Sequence, residues 1–410
     1  MMNKIPKGWE VKKLGDIAIT SSGGTPLRTH SEYWNGNIKW LKISDLNDSL
    51  IDNSDEFITE IGLKNSSAKI LKKGTLLVAM YGSIGKLGIL NTEATTNQAI
   101  CAIINKKDKK FEIKFLFYFF MSAKEKMLNE SFGGVQKNIS QTYLKNLEIP
   151  LPNLTEQKAI ADKLDDSFAK IENAITNLIN AKENLKLYKQ SVLQSAFNGD
   201  LLPNTSPTNW EVKKLGEICE INPKTEILLL NESDEVSFIP MASVEAETNI
   251  FTESKSKFSK VKKGYTKFRD NDILFAKITP CMENGKICIV NNLKFGIGFG
   301  STEFHVIRPN KNTLSKYIYY FVSQISFRQM AQIYMTGAVG QRRVPSKILE
   351  NFEIPLPPLS EQNLIVAEID RRFAIVDKTL NLIDKSIQNA KNLKQSILKK
   401  AFNGELRSEI

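Results

Sequence analysis

Histidine is nearly absent from this 410-residue chain, which contains only His30 and His305. Two isolated histidines offer little material for a histidine-based metal site or a Ser-His-Asp triad. Cysteine is also scarce, and no two cysteines form a CxxC pair. The four cysteines are Cys101, Cys219, Cys281 and Cys288. They do not define a disulfide framework, and we interpret them as reduced core residues.

Long hydrophobic runs are missing as well. The first ten residues, MMNKIPKGWE, contain no apolar signal core, and the longest apolar run, Phe115 to Met121, is far too short to span a bilayer. We therefore expect a cytoplasmic protein.

Arginine accounts for only nine of the 56 basic residues, although the formal net charge is +11 and the isoelectric point is near 9.2. A basic excess of this size fits a polyanion such as nucleic acid. A background rich in lysine and asparagine would raise the charge without any ligand, so charge alone leaves both interpretations open.

The dominant feature of the sequence is a long segment that occurs twice. Residues 154–198 return 205 positions later as residues 359–403. In both copies apolar residues recur at alternating three- and four-residue spacing, which predicts a heptad seam along a helix. The seam of the first copy comprises Leu164, Phe168, Ile171, Ile175, Leu178, Lys182, Leu185, Lys189, Val192 and Ala196. The seam of the second copy comprises Ile369, Phe373, Val376, Leu380, Ile383, Ile387, Ala390, Lys394, Ile397 and Ala401.

Both copies share their boundaries. Each follows an Ile-Pro-Leu-Pro stretch, at 149–152 and 354–357, and each stops at Asn-Gly, a pair that tolerates a left-handed C-terminal cap. Thr155 and Ser360 are the predicted N-caps, and Glu156 and Glu361 place negative charge in the first turn. At ~1.5 Å per residue, each helix would measure at most ~65 Å.

The repeat extends over the whole chain. The segment from Trp9 to Ile17 recurs from Trp210 to Ile218 with eight of nine residues identical. This predicts four regions: a globular unit (1–148, head one), a long helix (149–202), a second globular unit (203–353, head two) and a second long helix (354–410). Each head is predicted to be a mixed α/β domain with one apolar helix, near 113–130 and 314–333.

The order of these regions constrains the direction of the long helices. The first helix leaves head one and arrives at head two, so the second must run back for the two seams to meet. We therefore predict an α+β protein whose two mixed α/β domains are separated by two antiparallel helices. The helices form an intramolecular coiled coil, and the repeat gives the chain a pseudo-two-fold axis.

These features together resemble the specificity subunit of type I restriction-modification systems over essentially the whole chain. The resemblance rests on the order and duplication of several short motifs. They are the two Trp-x-x-x-x-Leu-Gly-[Asp/Glu]-Ile openings, Gly23-Gly-Thr-Pro26, Trp40-Leu-Lys-Ile-Ser-Asp45, Gly300-Ser-Thr-Glu-Phe-His305, the two Ile-Pro-Leu-Pro-x-Leu-[Thr/Ser]-Glu-Gln helix starts and the two Ala-Phe-Asn-Gly ends. Head two departs from the pattern, because it has Ile221-Asn-Pro-Lys224 in place of Gly-Gly-Thr-Pro.

The resemblance implies a non-catalytic DNA reader. The heads would be target-recognition domains, each binding one half of a bipartite, asymmetric duplex site. The helical pair would space them and dock two modification (methyltransferase) subunits. Restriction subunits would complete the assembly, and S-adenosylmethionine, ATP and Mg would bind to partner subunits and not to this chain. Consistent with this, the sequence has no Asn/Asp-Pro-Pro-Tyr motif, and Gly82-Ser-Ile-Gly-Lys86 is too short for a phosphate loop.

Candidate DNA contacts follow from the chemistry of readout, in which Arg or Lys suits guanine, Asn or Gln suits adenine, and cations suit phosphate. The strongest candidates lie in glycine-containing turns, and their alternative interpretation is a solvated turn. They are Gln136, Lys137 and Asn138 in head one, and Gln341, Arg342 and Arg343 in head two. Weaker candidates are Arg28, Lys42, Tyr81 and Ser83 in head one, and Lys277, Thr279 and Lys286 in head two.

Candidate contacts to partner subunits come from the repeated helices. The seam lysines Lys189 and Lys394 occupy equivalent positions, and an ammonium group does not sit in a dry core without cost. Each lysine is expected either to reach the solvated rim or to meet an acidic group on a docked partner. The pairs Glu156-Gln157 and Glu361-Gln362 are expected to be exposed at the junction of head and helix, as caps or as partner contacts.

Two other classes of function remain open at this point. One is an intracellular scaffold whose heads bind proteins and whose helices form an intermolecular bundle. The other is a self-contained nuclease or methyltransferase with unrecognised motifs. Salt-dependent, sequence-selective binding of duplex DNA separates the DNA reader from the scaffold.

Overall fold

The computed structural model describes residues 5–107, 110–133, 137–203, 209–227 and 230–406. The chain divides into two compact units. Unit one consists of Met1–Leu178 and Asp384–Ile410, and unit two consists of Ile179–Ile383. Each unit thus contains one head together with a segment from each of the two long helices.

Head one is a mixed α/β domain. Its elements in chain order are β1 (Glu10–Lys13), α1 (Leu14–Ile17), β2 (Ala18–Ser22), β3 (Trp34–Leu41), β4 (Ser49–Ile51), β5 (Glu56–Ile58), α2 (Glu60–Lys64), β6 (Leu76–Ala79), β7 (Leu87–Leu90), β8 (Thr95–Thr96), β9 (Ile100–Asn105), α3 (Ile113–Asn129), α4 (Gln141–Asn146) and β10 (Glu148–Leu151). The main sheet has the order β2-β9-β6-β7-β4, and a smaller sheet has the order β5-β3-β8. A third ladder pairs β1 with β10, so the first strand of the head is hydrogen-bonded to the strand that precedes the long helix.

The helix that follows is α5 (Leu154–Asn198), and head two repeats the architecture of head one. Its elements are β11 (Glu211–Lys214), α6 (Leu215–Ile218), β12 (Cys219–Ile221), β13 (Glu235–Ile239), β14 (Ser254–Lys257), α7 (Phe258–Val261), β15 (Thr266–Arg269), β16 (Ile273–Ala276), β17 (Ile287–Ile289), β18 (Ile297–Gly300), β19 (Phe304–Pro309), α8 (Ser315–Val322), α9 (Ile325–Ile333), α10 (Ser346–Asn351) and β20 (Glu353–Leu356). The chain continues into α11 (Leu359–Phe402).

The sheets of the two heads share most of their strand order, although β4 of head one and β15 of head two have no counterpart. In head two the order β12-β19-β16-β17 matches β2-β9-β6-β7, and the parallel pair β13 and β18 matches the parallel pair β3 and β8. Because β2 and β12 both lie at a sheet edge, Gly23-Gly-Thr-Pro26 and Ile221-Asn-Pro-Lys224 occupy corresponding places despite their different sequences.

The cores form where the sequence predicts them. The aromatic run from Phe115 to Phe120 in α3 is buried against the main sheet of head one, and Tyr317 to Val322 of α8 are buried in head two. The prediction of a single apolar helix near 314–333 is wrong. The structure has two helices there, α8 and α9, with Ser323 and Gln324 between them.

The two long helices pair along the predicted seam, and every seam residue is buried or half-buried. In unit one, Leu164 and Phe168 of α5 share a core with Leu398 and Phe402 of α11. In unit two, α5 contributes Val192 to Phe197 and α11 contributes Ile365 to Ile369 to the other core. The first half of α5 thus meets the last half of α11, and the reverse holds in unit two. The prediction of an antiparallel intramolecular pair is confirmed.

The seam lysines meet acidic groups within the chain. The Lys189 ammonium lies 2.5 Å from the Asp377 carboxylate and 4.8 Å from the Phe373 ring centroid. Lys394 pairs with Glu172 and lies 5.0 Å from the Phe168 ring centroid. The opposite long helix thus supplies an acidic group to each lysine, and the role of Lys189 and Lys394 in partner contacts stays a prediction.

The starts of the long helices also differ from the prediction. Asn153 caps α5, since its Oδ1 accepts a hydrogen bond from the backbone N–H of Glu156 at 2.9 Å. Thr155 and Ser360 lie inside the first turns and do not cap them. The ends are as predicted, because Gly199 and Gly404 follow the helices with φ of +83° and +75°.

A repeated carboxylate clamp joins each head to a long helix. In unit one, Asp165 of α5 accepts hydrogen bonds from Lys114 and from the Tyr118 hydroxyl of α3. In unit two, Asp370 of α11 accepts hydrogen bonds from Lys316 and from the Tyr320 hydroxyl of α8. In the part of the chain that the structure describes, no helix is both long enough and apolar enough to cross a membrane.

Candidate nucleic-acid interface

A glycine-flanked hairpin in head two carries the strongest sequence candidates. Residues 336–343, named hairpin two, close where Thr336 and Arg343 exchange backbone hydrogen bonds of 3.0 and 2.8 Å. Gly337 and Gly340 adopt φ of +121° and +80°, and Val339 at the tip is fully exposed. Glycine adopts such angles without the strain that a Cβ atom would cause, and the exposure of Val339 shows that the tip faces solvent.

Head one has a backbone bridge at the equivalent place. Phe132 and Asn138 exchange backbone hydrogen bonds of 3.0 and 2.8 Å, and the described residues 132–133 and 137–138 are named hairpin one. Lys137 is exposed and Asn138 is half-buried. Gln136, the third candidate in this turn, lies outside the described residues.

Both hairpins are anchored to the loop that follows a central strand. In head one, Gly82 N–H donates to the Lys137 carbonyl at 3.1 Å, just after β6. In head two, Thr279 N–H donates to the Arg342 carbonyl at 3.0 Å, just after β16. The structure therefore brings the weaker candidates Tyr81 and Ser83 beside hairpin one, and Lys277 and Thr279 beside hairpin two.

Arg343 is held by an acidic residue that sequence reasoning missed. Its Nε and Nη2 donate to the two carboxylate oxygens of Glu303 at 2.8 and 2.9 Å, and Nη1 donates to the Gln341 carbonyl at 2.9 Å. The hydrogen bond from Arg343 holds the pKa of the Glu303 carboxyl below its usual value, so this group is a carboxylate at neutral pH. Glu303 lies 40 residues from Arg343 in sequence, and no local pattern connects them.

The neighbouring candidates are also engaged by the protein. The Arg342 guanidinium donates to the Gln332 and Met335 carbonyls at 3.1 and 3.2 Å. The Thr279 hydroxyl donates to Glu283 at 2.6 Å, and the Lys286 ammonium donates to the Met241 carbonyl at 3.0 Å. Among the predicted head-two contacts, Gln341 is the exposed side chain.

Arg28 and Lys42 form a second cluster in head one, around Glu56. The Arg28 guanidinium lies 2.5 Å from the Glu56 carboxylate and 3.7 Å from the Trp34 ring centroid, and the Lys42 ammonium lies 2.7 Å from Glu56. The hydrogen bond from Arg28 lowers the pKa of Glu56 more than the one from Lys42 does. Stacking on Trp34 orients the guanidinium and leaves Arg28 at the surface.

Two of the six candidates for partner contacts are buried. Gln157 and Gln362 each have 1% exposure, and their amides bridge the start of a long helix to its head. Gln157 donates to the Pro152 carbonyl at 2.8 Å and accepts from Glu112 N–H at 2.9 Å. Gln362 donates to the Pro357 carbonyl at 2.9 Å and accepts from Leu314 N–H at 3.0 Å. The predicted exposure of both glutamines is wrong, because their amides satisfy buried backbone groups.

The other partner candidates at the helix starts are half-buried. Glu156 accepts a hydrogen bond from the Trp9 indole at 2.9 Å, and Glu361 is half-buried at the equivalent position of α11. Their role in partner contacts stays a prediction. Within the described residues, no group of three or more His, Cys, Asp or Glu side chains is placed to hold a metal ion.

His305 is a buried connector in head two. The side chain is 5% exposed. Its Nε2 lies 2.7 Å from the Val344 carbonyl, and its Nδ1 lies 3.0 Å from the Asn222 amide nitrogen. A neutral imidazole that carries its proton on Nε2 satisfies both contacts, since it donates to Val344 and accepts from Asn222. His305 therefore links hairpin two to the loop after β12.

Comparison with known proteins identifies the family of this chain. The family model for the type I restriction modification DNA specificity domain matches residues 6–181 and 207–390. The chain therefore belongs to the family of type I restriction-modification DNA specificity subunits. Membership of this family favours the DNA reader over the scaffold and over the self-contained enzyme.

Individual relatives cover the chain to different extents. The EcoEI type I restriction enzyme specificity subunit of Escherichia coli is 38% identical over 205 residues, which are 48% of this chain and 34% of that protein. The match thus spans about a third of that relative's length. The MjaIX specificity subunit of Methanocaldococcus jannaschii is 27% identical over 431 residues, which cover 100% of this chain and 96% of that protein.

A solved structure supports the fold. A chain from a type I R-M system, solved in work on its complex assembly and conformational transition, superposes with a TM-score of 0.76. The superposition covers 98% of this chain and 100% of that chain at 19% sequence identity. At this identity the likeness concerns the fold alone.

The environment of His305 predicts a pH dependence of stability. Burial lowers the pKa of its imidazole below the ordinary value of 6.5, so the folded chain keeps it neutral. As pH falls through 6.5, the unfolded chain takes up a proton that the folded chain does not, and stability declines by up to about 1.4 kcal/mol per pH unit. The full contribution is present above this pH.

The measurement is the free energy of unfolding in urea between about pH 7.5 and about pH 5.5. His305→Asn is expected to be less stable at neutral pH and to show a flatter pH profile than the parent chain. His30→Asn serves as the control, because His30 is exposed. Equal slopes for the parent chain and His305→Asn would contradict the assignment.

Proposed function

We propose that each head reads one half of a bipartite, asymmetric site in duplex DNA through its hairpin. The observation that carries this proposal is the pair of equivalent hairpins with different side chains. Lys137 and Asn138 stand in hairpin one where Arg342 and Arg343 stand in hairpin two. Equivalent placement supports a common task, and unlike side chains support two different half-sites.

The chemistry of the two hairpins suits the edges of bases. An amide such as Asn138 or Gln341 pairs with adenine, and a guanidinium pairs with guanine. The exposed Val339 methyl groups suit contact with a thymine methyl group. Gly337 and Gly340 carry no side chains on either side of this tip, so the adjacent backbone can approach a groove closely.

Arg343 can read a base only after Glu303 releases its guanidinium. While the carboxylate holds Nε and Nη2, the guanidinium is unavailable for a bidentate contact with guanine. DNA that engages Arg343 would have to displace Glu303, and non-cognate duplex would meet the carboxylate first. Glu303 thereby favours specific over indiscriminate binding.

The paired long helices are proposed to set the gap between the half-sites and to dock two modification subunits. Their outward faces carry large apolar side chains that neither core covers. These are Leu187, Leu364, Ile375, Leu382 and Leu393, with exposures from 49% to 65%. Four of them lie on α11, and exposed large apolar side chains that share a surface are typical of protein interfaces. Restriction subunits would join the full complex, and S-adenosylmethionine, ATP and Mg would be bound by the partner subunits.

The experiment that tests readout is co-expression with a cognate modification subunit in a methylation-free host, followed by sequencing of the modified bases. The expected product is a two-part motif with a fixed gap. Changing Gln341, Arg342 and Arg343 together to alanine should relax or alter one half of the motif, at ~1–3 kcal/mol of discrimination per lost base contact. Replacing Lys137 and Asn138 should affect only the other half.

A change of both half-motifs by the Gln341–Arg343 variant would contradict independent reading by the heads. A one-part motif from the parent chain would contradict the proposal as a whole. Lys311→Ala is the matched control, because Lys311 is an exposed cation in the same head beyond the end of β19.

Docking on the helical pair has a separate test. Ile375 and Leu382 lie seven residues apart on one face of α11, and each is 55% exposed. Replacing both with lysine should reduce association with the modification subunit at least tenfold, because burying either ammonium is costly. Co-purification and the methylation rate measure the effect.

The free energy of unfolding of this double variant should stay within ~0.5 kcal/mol of the parent value, since exposed positions tolerate substitution. Replacing Lys378 and Lys385 with alanine provides the control, because these two residues are also exposed on α11 but are not part of the apolar surface. Undiminished association of the Ile375/Leu382 variant would rule out this face as the docking surface.

A further inference from the structure

Head two contains an open cleft beside the loop that follows β12. Its volume is about 640 Å³, and its lining includes Asn222, Lys224, Thr225, Tyr265, Lys267 and Lys277. Lys267 belongs to β15, and Lys277 directly follows β16. Residues from three separate parts of head two therefore converge on one cavity.

Buried polar groups hold the loop of this cleft in place. Asn222, with φ of +54°, exchanges hydrogen bonds with the backbone of Val306, donating to its carbonyl at 2.7 Å and accepting from its N–H at 3.1 Å. The Thr225 hydroxyl accepts a hydrogen bond from Arg308 at 3.0 Å. Arg308 in turn makes a buried bidentate pair with Asp272 at 2.7 and 2.8 Å. The cleft is thus preorganised.

The charge of the cleft is unbalanced. Lys224, Lys267 and Lys277 contribute three cations, and Glu226 is the one carboxylate among the lining residues. In the described ranges, none of these three lysines takes part in an ion pair within 4.0 Å. Like charges that face one space repel each other, and an anion relieves that repulsion. The cleft is therefore suited to an anionic ligand.

Its position connects this cleft with hairpin two. The Lys277 carbonyl accepts a hydrogen bond from Val344 N–H at 2.9 Å, directly after the hairpin. His305 joins the same Val344 to Asn222 of the cleft loop. An anion in the cleft would lie next to whatever the hairpin contacts.

We propose that this cleft binds backbone phosphates of the DNA strand whose bases hairpin two contacts. The proposal rests on the function proposed above, and it divides head two into a base-reading hairpin and a phosphate-holding cleft. Lysine suits the second task, because its ammonium is a compact point charge without the fork that reads a base edge. The Asn222 side-chain amide already forms hydrogen bonds with His305 and Val306, so it is not available to read a base edge from the cleft.

Such phosphate contacts would position the DNA on head two without regard to its base sequence. Each phosphate contact contributes roughly 0.9 to the slope of log affinity against log salt. Removing Lys224 or Lys267 should therefore lower that slope by about one and weaken binding about tenfold at 0.1 M salt. Cognate and mismatched half-sites should lose affinity by the same factor, and the methylated motif should not change.

The test uses the complete chain in complex with its cognate modification subunits on duplexes that carry the methylated motif. Lys224→Gln and Lys267→Gln are titrated at several salt concentrations beside Lys224→Arg and Lys267→Arg, which should restore the slope. Lys311→Gln is the control for net charge, because Lys311 lies past Pro309 at the far end of β19 from Phe304, which lines the cleft. The urea midpoint of each variant establishes that it is folded.

The possible results separate this inference from the proposed function. An unchanged slope in both glutamine variants, with normal binding by the parent complex, would overturn the cleft assignment and leave the proposed function standing. A change in the head-two half of the motif would also overturn it, because the lysines would then read bases. A parent complex that does not select a duplex sequence would overturn both.

Discussion

The seam between α5 and α11 is the interaction on which the rest of this structure depends. Each compact unit contains segments of both long helices, so neither core is complete without residues from a helix that lies far away in the sequence. In the middle of the seam, Val376 and Ile383 of α11 are buried, whereas residues of α5 from Ile175 to Leu185 that belong to the seam are half-buried. Two cross-helix ion pairs, Lys189 with Asp377 and Lys394 with Glu172, supplement this apolar contact. A shift of one helix along the other would separate both pairs, which favours a single register.

The joints between heads and helices extend this order to the candidate interface. Asp165 and Asp370 clamp the apolar helix of each head, and Gln157 and Gln362 fill the buried backbone positions at the helix starts. Because these contacts are buried or charge-assisted, each head is fixed on its helix segment and not merely tethered. The proposed spacing of two half-sites requires this rigidity, since a loosely attached head would accept many spacings. The duplicated contacts between head and helix thus fix each head on its helix segment, whereas the unlike hairpins would distinguish two half-sites.

Much of this organisation could be predicted from the sequence because it is repeated and periodic. The seam, the Asn-Gly helix ends and the apolar helix near 113–130 follow from local patterns. The partners of buried polar groups could not be predicted in this way. Thr155 resembles a cap, yet Asn153 takes that role, and Gln157 resembles a surface residue, yet its amide bridges two elements. The pairing of Arg343 with Glu303 and the cleft around Lys224 and Lys267 depend on tertiary contacts between distant segments.

The most direct test of the account is a disulfide crosslink between engineered cysteines on the two long helices. An antiparallel pair brings position 172 to position 394, whereas a parallel pair would bring it to position 377, which is its equivalent in the repeat. The account predicts that Glu172→Cys with Lys394→Cys forms an intramolecular crosslink in the monomeric chain, and that Glu172→Cys with Asp377→Cys does not. A crosslink between 172 and 377, or one that forms only between two chains, would contradict the antiparallel fold-back of the duplicated helix.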